Sequence, residues 1–424
     1  MPKQQSFPAY VLFVLLGLSL LGSVRVSELQ PAFPAVDAFI PYAFAVGLVW
    51  VLVRSAANGV WFEGLWSVLF LAFNLFGLWL LFGAFFSPEP LTSLMGALLL
   101  VLMLNTVYVC VYGLSASHQV FVGLAFLFLG FTAVACLYAL FLLHVDVKAL
   151  QLGDFRWRPV NFSRRISSFL GNPNLLGAFI ALSLPACYYW LVADRRWFSR
   201  LAALLCLGVL VYTLWLSASR ASILSGLFGA VVFALLFLQS RKHPARWFVF
   251  FFVVLGVGAF AWLFFFDRGS LLDLFNQALN RRTSLLSGRD KAWVLLLDGF
   301  KQHPLLGMGF QVSQKYLLIP GGFTNPYGSH NIFLRLAAES GLVGLLSFLW
   351  FVFLSVVQGI RGLNRPGPAR DVTILCLSVV VTFLAHAFFE DNLNPVSALF
   401  MFPMICTMGL GVMGLAAHQA LPLK

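Results

Sequence analysis

His330 stands in Ser329-His330-Asn331-Ile332-Phe333-Leu334, directly before a long apolar stretch that runs on through Glu339, Gly341 and Gly344. Histidine is the side chain whose ordinary pKa lies nearest neutrality, so an imidazole where an apolar helix meets water is suited to take a proton from a hydroxyl. A helix-end hydrogen-bonding role is the plainer use of a lone interfacial histidine. Arg220 lies in Leu216-Ser217-Ala218-Ser219-Arg220-Ala221-Ser222, a small polar break between two apolar runs. A guanidinium there is costly unless it is paired or faces water, which suggests an anion clamp, with snorkelling to headgroups as the alternative. Arg289 follows Ser287, and Ser287 with Asp290 has the form of a capping box. That places Arg289 in the first turn of an amphipathic helix with Trp293, Val294, Leu297 and Phe300 as its apolar face and Pro304 as its stop. In Gly171-Asn172-Pro173-Asn174, Asn172 has the form of an N-cap and Pro173 fits the first helical position.

These residues need a frame, and the composition says what kind. Of 424 residues, 61% are hydrophobic and 10% charged, with 46 Phe and 12 Trp, and the mean hydropathy is +0.91, which excludes an ordinary soluble domain. Runs of roughly 20 apolar residues, the length that crosses a hydrocarbon core, recur about twelve times. They are read at 9–24, 35–53, 65–86, 91–113, 119–144, 173–193, 201–216, 221–239, 247–266, 341–360, 372–389 and 395–417. The reading is an all-α polytopic membrane protein, a single integral membrane unit over 1–424. Its largest loop, 267–340, falls between the ninth and tenth spans. Arg25 and Glu28 after the first run leave no small-residue cleavage site, so that run is read as a retained helix.

Arg195, Arg196, Arg200, Arg241, Lys242, Arg246, Arg361, Arg365 and Arg370 fall in short loops on one side if the spans alternate. The positive-inside rule makes that side cytoplasmic and puts both termini, with Lys3 and Lys424, there too. Two loops of the other side are basic against the rule. The 145–172 loop, with Arg164 and Arg165, and the 267–340 loop each carry three more basic than acidic residues. Most such charges can be a solvated surface, but guanidinium groups also suit the paired oxygens of phosphate. The six cysteines all fall within predicted spans, and no metal, Walker or dinucleotide motif occurs, so no disulfide framework, metal or cofactor is expected.

Taken in order, Gly171-Asn172-Pro173-Asn174, Ser219-Arg220, Arg289 with Trp293, the run from Pro304 to Gly309, and His330-Asn331 with Glu339 and Gly341 resemble the O-antigen ligase and O-antigen polymerase superfamily. The resemblance is strongest from Gly171 to Gly344. It implies a bundle of the type-C glycosyltransferase kind in the bacterial inner membrane, with a large helical periplasmic loop. It also implies an undecaprenyl diphosphate-linked glycan donor and Arg220, Arg289 and His330 as the essential residues. The chemistry fits: without a metal motif, fixed arginines must neutralise a departing diphosphate, while His330 takes the acceptor's proton in an inverting transfer. Arginines around the imidazole would keep it neutral. The expected substrate-binding residues are Arg164, Arg165, Asn172, Asn174, Ser219, Trp293 and Asn331, and no outer carboxylate pair of the glycosidase kind is read.

One dominant outer loop carrying both Arg289 and His330 favours ligation to the lipid A-core of lipopolysaccharide. The basic 145–172 loop keeps polymerisation of repeat units open, and transfer to protein is a third acceptor. A transporter of anionic solutes is the reading from another class, but it calls for interrupted spans in two matching halves, which the sequence does not display.

Overall fold

The computed structural model describes residues 6–25, 32–57, 67–113, 118–144, 166–194, 196–240, 289–313, 329–364 and 367–419. Several expectations fall outside them: the 247–266 span, Arg164, Arg165, Ser287, both termini, and Arg195, Arg241, Lys242, Arg246 and Arg365. The described chain is helical. The helices are α1 (Ser6–Gly22), α2 (Pro34–Ala57), α3 (Val68–Ala84), α4 (Pro90–Gly113), α5 (His118–His144), α6 (Pro173–Ala193), α7 (Trp197–Ser217), α8 (Arg220–Ser240), α9 (Arg289–Gln302), α10 (Ile332–Gly362), α11 (Pro368–Ala387) and α12 (Ala398–Gln419), with a 3-10 turn over Ser168–Leu170. Seven of them, α4 to α8, α10 and α11, are long and apolar enough to cross a membrane, and α1, α2, α3 and α12 add shorter apolar helices. The protein is an all-α polytopic membrane protein.

In hydrocarbon the hydrophobic effect gives helices no reason to prefer each other to lipid, so close packing and small residues must hold the bundle. At the centre Phe128 stacks between Phe179 and Phe402, with ring centroids 5.2 and 4.5 Å away, locking α5 to α6 and α12. The described part of α12 is buried through Gly414, which makes it the axis. Phe73 against Phe351 and Phe76 against Phe348 fasten α3 to α10. At Gly177, on α6, an added Cβ would stand 2.7 Å from Ser219 Cβ, so only glycine lets α8 begin this close.

Helix starts are legible where caps are strong. Asn172 accepts hydrogen bonds from the backbone N–H of Asn174 at 2.8 Å and of Leu175 at 3.4 Å, and with Pro173 it starts α6 where the sequence predicts.

The tenth helix differs from expectation. A span beginning at Gly341 is predicted, whereas α10 begins at Ile332 and is broken at Gly341 (φ 67°, ψ −172°). Four of the backbone groups at the break find partners outside the helix. Leu342 N–H donates to Pro304 O at 2.8 Å, and the carbonyls of Ala338 and Glu339 accept from Met308 and Gly309 N–H, both at 2.9 Å. Ser340 O accepts from Trp79 Nε1 at 2.9 Å. Irregular backbone at membrane depth survives only with such substitutes, and the 304–309 segment supplies them. A side chain at Gly341 would meet Leu305 O at 2.0 Å.

Helix α9 also lies rotated from its expected face. Ala292 and Leu296 are buried against Ala338, Trp293 and Phe300 are half-buried, and Val294 and Leu297 are exposed. The small Ala292, buried against Ala338, and Gly299, buried against Met308, let α9 pack closely along a face that hydropathy alone does not mark.

Candidate active site at one end of the bundle

The residues singled out above gather where α6, α8, α9 and α10 begin and α11 ends. Asn331 caps α10, its Oδ1 accepting from Leu334 N–H at 2.9 Å, while its Nδ2 donates to Phe388 O at 3.1 Å. The start of α10 is thereby fastened to the end of α11. Just before the cap, His330 has φ +48°, a left-handed conformation that costs a residue with a Cβ about 1 kcal/mol or more. The neighbouring residue holds it there. Ser329 donates its hydroxyl to Asp391, and its carbonyl accepts from Trp293 Nε1 at 3.1 Å.

The imidazole itself is aimed by a carboxylate. His330 Nδ1 lies 2.9 Å from Glu390 Oε2, and Glu390 Oε1 accepts from Asn174 Nδ2 at 2.9 Å. The His330 side chain is 30% exposed and that of Glu390 11%. A carboxylate at Nδ1 fixes the neutral ring as the tautomer with its proton on Nδ1 and its lone pair on Nε2. Among the described residues, the group that orients the ring is thus Glu390, whereas the sequence reading looked to arginines around it.

Beneath this lies a buried ionic frame. Arg335 reaches Glu339 Oε1 through Nε at 3.1 Å and both oxygens of Asp391 through one terminal nitrogen at 2.8 and 2.9 Å. Ser313 adds its N–H at 3.2 Å and its hydroxyl at 2.6 Å to the same Glu339 oxygen. Counted with the loop charges in the sequence, Arg335 and Glu339 are in fact 3% and 0% exposed along their side chains, because helix 332–340 turns them inward. Removing one partner from such a group typically costs about 3–5 kcal/mol, since a charge is left buried and unpaired. The frame ties Ser313, the Ser329–His330 turn and the 391–393 segment into one unit.

Arg220 opens α8, half-buried, after a two-residue turn in which Ala218 is left-handed (φ 48°, ψ 33°). Ser219 Oγ lies 2.8 Å from Ser222 Oγ, and Ser222 Oγ lies 3.1 Å from His386 Nε2. Glu390 N–H donates to His386 O at 3.0 Å, so the Arg220 turn and the carboxylate behind His330 meet on the last turn of α11. Arg289 is the first residue of α9. It lies one helical turn before Trp293, and Trp293 donates to the carbonyl of Ser329, the residue next to His330.

Of the sequence-predicted residues, Asn174, Asn331, Trp293 and Ser219 make these described contacts, Asn172 is occupied in capping α6, and Arg164 and Arg165 lie outside the described residues. Glu390, Asp391, His386 and Arg335 were missed. The run Glu390-Asp391-Asn392 between two apolar spans was the available signal, since alternation places it on the same side as His330.

Residues 201–349 match the O-antigen ligase family model, Wzy_C. The chain carries a domain of the O-antigen ligase and polymerase superfamily. That family consists of membrane glycosyltransferase-type enzymes, and it implies a lipid-linked glycan as substrate. The matched stretch holds Arg220, Arg289, His330, Arg335 and the break at Gly341, while Glu390 and Asp391 lie beyond it. No curated protein matches the chain.

Proposed function

We propose that the protein is an O-antigen ligase of the bacterial inner membrane. It transfers a glycan from undecaprenyl diphosphate to the lipid A-core of lipopolysaccharide on the periplasmic face, with both termini cytoplasmic. The observation that carries the reading is the Asn174–Glu390–His330 chain, which orients a base at the bundle end where the helices of Arg220 and Arg289 begin. The acceptor hydroxyl gives its proton to His330 Nε2 as its oxygen attacks the anomeric carbon. The bond from that carbon to the diphosphate oxygen breaks, and the departing charge is met by Arg220 and Arg289. Each such donor is typically worth a few kcal/mol when it is fixed in advance. Attack opposite the leaving group inverts the anomeric centre and requires no covalent glycosyl-enzyme. Glu390 stabilises the imidazolium and loses no bond in the exchange. The proton then passes from His330 to water.

The test is product mass. The purified chain in lipid nanodiscs is given a polyprenyl diphosphate-linked glycan with lipid A-core, a second glycan-loaded carrier, or an acceptor protein. Glycan on lipid A-core is the expected product. Growth of the glycan on the carrier would make the chain a polymerase, glycosylated protein would make it an oligosaccharyltransferase, and no transfer to any acceptor would overturn the enzyme reading.

A further inference from the structure

A second histidine, which the transfer scheme above does not use, lies behind the Arg220 turn. His386 is in the last turn of α11 and 2% exposed. Its Nδ1 is 3.1 Å from Asn392 Nδ2 and its Nε2 is 3.1 Å from Ser222 Oγ. An amide NH₂ can only donate, so Asn392 donates and His386 Nδ1 accepts. In the neutral ring the proton is then on Nε2, which donates to Ser222 Oγ. Ser222 Oγ also shares a hydrogen bond with Ser219 Oγ, 2.8 Å away, in which either hydroxyl can donate. The hydrogen-bonded chain runs from Asn392 through His386 and Ser222 to Ser219, the residue preceding Arg220.

The turn at the end of that chain needs help to hold its shape. Ala218 holds a left-handed conformation that a residue with a Cβ adopts at some cost. Ser222 Oγ would stand 2.7 Å from a Cβ added at Gly177, so α6 backs the first turn of α8 at contact distance. The opposite wall is α11, and among the described contacts it reaches Ser222 through the His386 ring.

We propose that His386 is the positioning residue of the Arg220 turn: its Nε2–H, donated to Ser222, sets how the first turn of α8 is rotated, and with it the point from which the guanidinium reaches the diphosphate of the donor. This rests on the assignment of Arg220 to diphosphate binding. His386 also accepts the N–H of Glu390 through its carbonyl, so the arginine turn and the carboxylate behind His330 take their register from one residue.

The experiment measures binding of a fluorescent polyprenyl diphosphate, together with KM and kcat of transfer, on the full chain in nanodiscs. The proteins are wild type, Arg220→Ala, His386→Phe and His386→Gln. Phenylalanine fills the ring volume and donates nothing. Its Kd and donor KM should rise about tenfold, the scale of one buried hydrogen-bond partner lost, with kcat within about threefold of wild type. Glutamine places an N–H near the position of ring Nε2 and should return Kd to within about threefold of wild type, a smaller loss than that of one hydrogen bond. If His386→Phe binds as wild type while Arg220→Ala does not, the positioning role is refuted and the proposed function stands. If phenylalanine and glutamine lose affinity and melting temperature together, His386 is merely structural. If Arg220→Ala itself binds normally, the diphosphate assignment falls and the role of His386 falls with it.

Discussion

Replacing Glu390 by glutamine separates a carboxylate that orients a base from one that merely fills space. Both oxygens of Glu390 accept, one from His330 Nδ1 and one from Asn174 Nδ2, each at 2.9 Å. Glutamine keeps the size but offers one acceptor and one donor, so it cannot serve both neighbours as they stand. With its oxygen toward His330, the ring keeps its tautomer and loses only the charge assistance. That loss is about 1.4 kcal/mol and lowers kcat about tenfold. With its NH₂ toward His330, the ring must move its proton to Nε2 and the base is disarmed, for a loss on the order of a thousandfold or more. Rotation of the Asn174 amide, so that its oxygen meets the glutamine NH₂, favours the first arrangement. The expected fall in kcat for Glu390→Gln therefore lies between about tenfold and a hundredfold. The cost should be smaller in an Asn174→Leu background, where no second donor competes for the glutamine oxygen. The assay is single-turnover transfer at saturating donor and acceptor in nanodiscs, with melting temperature as the control for folding. Unchanged kcat in folded Glu390→Gln would refute the orienting role. A raised donor KM with unchanged kcat would move Glu390 from the base to substrate binding.

Arg335→Leu leaves Glu339 and Asp391 buried without their cation and should cost about 3–5 kcal/mol, read as a large drop in melting temperature or loss of the folded protein from the membrane; a wild-type melting curve would mean the frame is dispensable. Gly341→Ala should fail to fold, because the new methyl would fall 2.0 Å from Leu305 O at a φ of +67°, and a stable, active variant would show that the break in α10 is not required. Arg220→Lys should restore donor binding poorly relative to the native arginine, since a compact ammonium cannot make a two-pronged phosphate contact; full affinity and full transfer would leave only a general positive potential.

The spans were legible because a run of apolar residues is a property of the local chain, and α6 could be placed to the residue because Asn172 and Pro173 state its start. The break at Gly341 was not legible in the same way. It depends on Pro304, Met308 and Gly309 offering their backbone groups from across a loop, and no hydropathy window contains that fact. Counting loop charges treated Arg335 and Glu339 like the exposed Lys301, though helix 332–340 buries the first two and leaves the third in water. Glu390 was overlooked for a related reason. Its partner His330 is 60 positions away, and a carboxylate near the end of a predicted span reads as an ordinary interfacial charge until tertiary structure brings the two together.

Backbone strain gives an independent reason to look for chemistry at this end of the bundle. A membrane helix satisfies its own N–H and C=O groups, so regular geometry is the cheapest arrangement and departures from it need a cause. Among the described residues, the non-glycine residues with positive φ are Ser168, Ala218, Gln311 and His330. All four lie at the end where α6, α8 and α10 begin. Ser168 precedes the cap of α6, Ala218 makes the Arg220 turn, Gln311 follows the segment that breaks α10, and His330 precedes its start. Each costs on the order of 1 kcal/mol or more, and a fold selected for stability alone would place glycine at these positions. Two of the four, Ala218 and His330, sit beside Arg220 and at the His330 ring itself, and Gln311 is two residues from Ser313, which bonds Glu339. Strain concentrated there, held by the Arg335 frame and by the Ser329 and Asn331 contacts, is what fixing charged groups ahead of a substrate requires. Donors that need not move as charge develops stabilise it more than donors that must first be gathered.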